Sequence, residues 1–135
     1  MDFEKLAKHV EKISAAAEKI AETAKKTPDD LKGNAIETSK QAMKTFMQTS
    51  REILMMFLKD RKEQIRAGHL FRDAAAKNIV PGDAADRGDA LLIRWGGNVT
   101  PNDPRAVHDD AVKANDLASR LVPVFKAYQK EEKKA

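Results

Sequence analysis

"REILMMFLKDRKEQ", residues 51–64, holds six apolar side chains in a row, Ile53 to Leu58, set between a basic-acidic pair and a mostly charged run. At the helical step of about 100° per residue, Ile53, Leu54, Phe57 and Leu58 fall within about 140° of one another. Met55 and Met56 project onto the other sides. A helix that is apolar all round for more than a turn has to be wrapped by other helices, from its own chain or from a neighbour. Two readings follow for the ring. Either it is the centre of a bundle, or Met55 and Met56 face outward and form an adaptable docking surface, to which the flexible methionine thioether is suited.

Outward from the ring, no breaker occurs between Ala35 and Arg66, and Met43, Phe46, Met47, Ser50, Ile53, Leu54, Phe57 and Leu58 form a broad apolar band. The pattern predicts one helix over 35–66, nearly 50 Å long at about 1.5 Å per residue, which would be the spine of so small a protein. Ahead of it, Phe3, Leu6, Val10, Ile13, Ala17, Ile20 and Ala24 alternate spacings of three and four, a heptad seam that predicts a helix over 2–26. The narrow stripe implies one long antiparallel neighbour, with Ala17 and Ala24 permitting close approach. In "KKTPDD", Thr27 suits a cap, Pro28 the first helical position, and Asp29 and Asp30 the positive end of the dipole. Gly33 costs a helix interior roughly 1 kcal/mol relative to alanine, so the first turn is readable as a separate short piece.

Beyond the spine, "HLFRDAAAKN" predicts a short helix between Gly68 and the break "VPGD". Asp83 then caps a further helix, "AADRGDALLIRW", provided Gly88 is tolerated. "LLIRW" has strand propensity, but no second strand offers it a partner. After the turn-rich "GGNVTPNDP", Asp103 and Pro104 open a last helix whose stripe runs from Val107 to Tyr128. Pro123 inside that stripe is expected to kink it and to free a carbonyl near Ser119. The expectation is an all-α, elongated bundle of four to five helices with a long central second helix, in a single helical domain over 1–135.

Bulk composition agrees with that class. Aromatics make up 5% of the chain and charged residues 34%, a balance suited to exposed helices rather than to a sheet sandwich. The net charge of +4 is mild and spread out, so nucleic-acid binding would need a local patch. With no cysteine, disulfides, thiolate metal sites and a cysteine nucleophile are all excluded. No stretch approaches the ~20 apolar residues that span a bilayer, and "MDFEKLAKHVEKIS" is too charged for a signal peptide. A cytoplasmic protein is expected, with export by a leaderless route compatible.

Three sets of residues are candidates for function. The first is a partner-binding surface of Met47, Leu54, Met55, Met56 and Phe57, for a protein partner or a second copy, with the heptad seam of the first helix as another surface. The second is the basic helix end of Lys59, Arg61, Lys62 and Arg66, suited to phosphates or an acidic partner. Asp60 and Glu63 interleave with it, and no aromatic residue lies there to stack on bases. The third is His69 with the doublet His108-Asp109, followed by Asp110. It resembles the helical phosphohydrolases built on a His…His-Asp…Asp metal site, which would imply a metal-dependent hydrolase. In that family the last Asp lies on another helix, whereas Asp116 shares a helix with His108. His9, among polar neighbours, reads as a solvated side chain. No phosphate loop or nucleophile elbow is present, and no cofactor is expected.

Trp95-Gly96-Gly97, with Tyr128 and Glu132 further on, also resembles the small secreted helical hairpins that carry a Trp-x-Gly turn and a Tyr-x-x-x-Asp/Glu signal. That resemblance would imply a leaderless secreted role. The chain departs from the pattern in that "VPGD" interrupts the helix before the turn and an extra hairpin precedes it. The plain alternative is that Trp95 plugs the end of the bundle while the glycines release the chain. A non-enzymatic helical interaction protein is the function these residues favour.

Overall fold

A computed structural model describes residues 2–58, 69–97 and 100–134, the last four of these by backbone alone. It contains five α-helices, α1 (Phe3–Ala24), α2 (Asn34–Phe57), α3 (Leu70–Ala76), α4 (Ala85–Trp95) and α5 (Pro104–Lys134), and two 3-10 turns at Pro28–Asp30 and Gly82–Ala84. No strand occurs among the described residues, so "LLIRW" is helical. Side chains from all five helices join one hydrophobic cluster.

α1 packs along both α2 and α5, while α2 also meets α3, α4 and α5. Thr23 meets Ser39 and His9 senses Glu52, so α1 and α2 run antiparallel. His108 meets Lys26, while Lys126 and Lys130 border Ala7 and Val10, so α1 and α5 do the same. Having two long neighbours, α1 buries a wider face than the seam implied. Ala16 and Thr23 are buried, Ala17 and Ala24 only half so, and Phe3 is 42% exposed.

α2 is long but ends at Phe57, where the Leu58 N–H still bonds the Leu54 carbonyl and Leu58 leaves helical geometry. The predicted helix is borne out from Ala35 to Phe57, and its continuation over 59–66 lies outside the described residues. At about 1.5 Å per residue the observed helix is ~36 Å long. Among the described residues the longest helix is α5, of 31 residues. Gly33, at φ 54°, ψ −123°, is the joint between the first 3-10 turn and α2 rather than an interior helical residue. The backbone there is open only to glycine at low cost.

α3 and α4 form a small unit against this frame. No local side chain caps α3; Asp89 of α4 accepts from the N–H groups of Phe71 (2.8 Å) and Arg72 (3.1 Å). At the other end Asn78 takes φ 61°, and the Ile79 and Asn78 N–H groups return to the carbonyls of Ala74 and Ala75, a Schellman closure. Gly88 is obligatory, because a Cβ there would lie 2.4 Å from the ring of the fully buried Phe71. Asp83 does not cap α4. Its carboxylate pairs with Arg120, which also reaches Asp116, itself paired with Arg87, so a ladder of charges ties the start of α4 to α5.

Pro123 is contained in a continuous α5 and sits on its exposed side, where water can reach the carbonyl it frees. The Ser119 hydroxyl donates to Asp116, at 2.7 Å, and takes no part in that repair.

Candidate functional site

The apolar ring divides into a base and an edge. Ile53, Leu54 and Leu58 are buried, as are Phe46 and Met47 two turns earlier and Met43 three turns earlier. Met55, Met56 and Phe57 pack against the core and are only half-buried. Met47 and Leu54, with no exposed surface, belong to the bundle's interior in the folded chain and are out of a partner's reach. Of the expected docking residues, the accessible ones are Met55, Met56 and Phe57.

Residues from two other parts of the chain extend this edge. The rings of Phe57 and Tyr128 lie 4.8 Å apart at 43°, a tilted contact of the kind that contributes about 0.5–1.5 kcal/mol beyond burial. The Tyr128 hydroxyl donates to the Ile79 carbonyl at 2.5 Å. The C-terminal turn of α2, the second half of α5 and the segment after α3 therefore meet at one half-buried apolar edge. Tyr128 was visible as the last member of the α5 stripe, while Ile79 had no periodic signal because it lies in a helix-ending turn.

Elsewhere two buried carboxylates, Asp110 and Asp89, are held by structural bonds. Asp110, 4% exposed, accepts from Arg94 Nε (2.9 Å) and Nη2 (2.6 Å) and from Trp95 Nε1 (2.8 Å). The buried carboxylate thus has three donors, and Arg94 is held above its ordinary pKa by those bonds. Burial pushes the Asp89 carboxyl up, against the two N–H groups it caps.

The proposed metal ligands are not brought together. His69 lies near Asp89 at the start of α3, whereas the His108 ring donates to the Lys26 carbonyl at the far end of α1. Among the described residues no group of three or more His, Asp or Glu side chains could hold a metal ion. Lys59, Arg61, Lys62 and Arg66 lie outside the described residues. Both aromatic residues of the hairpin resemblance have internal partners, Trp95 in Asp110 and Tyr128 in Ile79. His9 is half-buried rather than solvated. Its Nε2 is sealed without a hydrogen-bond partner, and burial lowers its pKa against the opposing pull of Glu52.

Two shallow grooves flank α1. One, on the α2 side, is lined by Lys12, Lys19, Glu37, Gln41 and Ala42; the other, on the α5 side, by Val10, Glu11, Glu18, Lys126 and Lys130. No described helix is long and apolar enough to cross a membrane. No protein-family model matches the chain, and no curated protein matches it significantly.

Proposed function

We propose that the protein is a non-enzymatic helical interaction protein that docks an apolar helical surface, of a partner protein or of a second copy, on the edge formed by Met55, Met56 and Phe57, with Tyr128 beside Phe57. The supporting observation is the division of the ring: its base is sealed in the core while three consecutive apolar side chains at its edge stay half open. Methionine suits such an edge, since its unbranched thioether repacks against varied shapes. An aromatic neighbour adds a rigid anchor.

Light scattering of the wild type beside Met55→Asp and Met56→Asp tests the self-associating form. In about 1 M salt, where surface charges are screened, a wild type that associates, and variants that keep their helical circular dichroism but become monomeric, are the expected results. Variants that remain folded and keep the wild-type mass would remove the edge as an interface.

A further inference from the structure

We infer that the outward face of α1 is a second interface, on which the same face of another copy of this chain lies parallel and in register. The pattern that carries it is a repeat. "FEKLAKH" (3–9), "VEKISAA" (10–16) and "AEKIAET" (17–23) each place Glu-Lys before a Leu or Ile, seven residues apart. Leu6, Ile13 and Ile20 are the buried members. The Glu-Lys pairs before them are exposed and form two rows along the helix. The acidic row runs on the α5 side, where Glu11 and Glu18 line one groove; the basic row runs on the α2 side, where Lys12 and Lys19 line the other. Between them the crest is Lys8, Ala15 and Glu22, and Ala15 borders both grooves.

Neither row is paired among the described residues. None of Glu4, Glu11, Glu18, Lys5, Lys12 and Lys19 makes an ion pair among the described residues. Residues three or four apart are the neighbours on a helix surface. Those of Lys12 are Lys8, His9, Ala15 and Ala16, with no acid; those of Glu18 are Ser14, Ala15, Ala21 and Glu22, with no base. Lys126 and Lys130 stand across one groove from the acidic row, and Glu37 across the other from the basic row, without closing a pair.

Geometry then selects the occupant. When two such faces meet antiparallel, each row lies over its own kind, Glu11 against Glu18 and Lys12 against Lys19. When they meet parallel, each acidic row lies over a basic one along the length of both helices, and a single two-fold axis makes every pair twice. Ala15 at mid-crest lets the helices approach. Lys8 then faces its own copy but lies between Glu4 and Glu11 of the other, and Glu22 lies between Lys19 and Lys26.

The absence of cysteine allows a direct test in the full chain. Lys8→Cys and Glu22→Cys are oxidised separately with diamide, and Ala90→Cys, on the exposed side of α4, serves as control. In about 10 mM salt, where charges act over about 30 Å, each of the first two is expected to form a disulfide dimer at least about tenfold faster than the control; the excess should vanish at about 1 M salt, where the reach is about 3 Å. Cross-linking at the control rate, or only when the Lys8→Cys and Glu22→Cys proteins are mixed, overturns the inference, the latter because it marks an antiparallel pair. Sedimentation gives a second readout. In a Met56→Asp background, which removes the other edge, Glu11→Lys/Glu18→Lys and Lys12→Glu/Lys19→Glu are each expected to be folded monomers that dimerise when mixed. If reversal shifts only the unfolding midpoint and leaves association as in the wild type, the rows serve the seams of α1 with its own neighbours and the inference fails. Met56→Asp should leave the Lys8→Cys cross-link unchanged; a cross-link lost with Met56→Asp places the second copy on the other edge and also overturns it.

Discussion

Gly88 shows how far a single residue can run against its local preference. Within α4, replacing glycine by alanine favours the helix by roughly 1 kcal/mol. Here the added methyl group would enter the ring of Phe71, which is wholly buried and cannot retreat. Overpacking of this kind costs about 1–3 kcal/mol, so Gly88→Ala is expected to lower the urea midpoint rather than raise it. His9 supplies a second residue-scale expectation. Burial favours its neutral ring, so through this group the folded chain binds fewer protons than the unfolded one. Stability from His9 is undiminished above the ordinary pKa of 6.5 and falls as pH drops through and below that value. Urea midpoints measured on either side of it should show the loss in wild type, and His9→Gln should flatten it.

Between elements, the pairing of α1 with α2 is pinned by two buried hydroxyls. Thr23 Oγ1 and Ser39 Oγ lie 2.6 Å apart, and Ser39 Oγ is 2.9 Å from the Ala35 carbonyl. Each hydroxyl has one proton. With the Ser39 proton on Ala35, Thr23 donates to Ser39, and its 3.2 Å approach to the Lys19 carbonyl is the weaker contact. Thr23→Val should cost about 1 kcal/mol. The double variant Thr23→Val/Ser39→Ala should cost less than its two singles together, by about 0.5–1.5 kcal/mol of coupling in a double-mutant cycle read by urea unfolding. Strict additivity would mean that the hydroxyls do not act as a pair. The sequence carried no sign of it, because a hydroxyl in a helix is equally at home bonding its own backbone. Other elements were legible where the signal is local. Pro28, Pro104 and the "VPGD" break each mark a real boundary. The end of α2 at Phe57 has no such mark, and α3 is capped by Asp89, which is 17 and 18 residues from the groups it caps.

For the whole molecule, hydrophobic periodicity was enough to read an all-α bundle with a long central second helix, but not that α1 would serve two long neighbours. The buried face of α1 is wide enough to serve both α2 and α5, and the alternation of three and four conceals that width. The docking residues were legible in kind and not in depth. Ile53 to Leu58 is uniformly apolar, yet only packing against the other helices separates Leu54, which is sealed, from Met56, which is not. That separation underlies the proposed function, since an edge can greet a partner only if the fold survives its alteration. The most direct test is equilibrium urea unfolding of Leu54→Asp and Met56→Asp, measured side by side by circular dichroism. Leu54→Asp should abolish the cooperative transition, because a carboxylate has no partner inside the cluster, while Met56→Asp should keep it within about 1–2 kcal/mol of wild type. Equal collapse of both would mean that Met56 is core and that the chain presents no such edge.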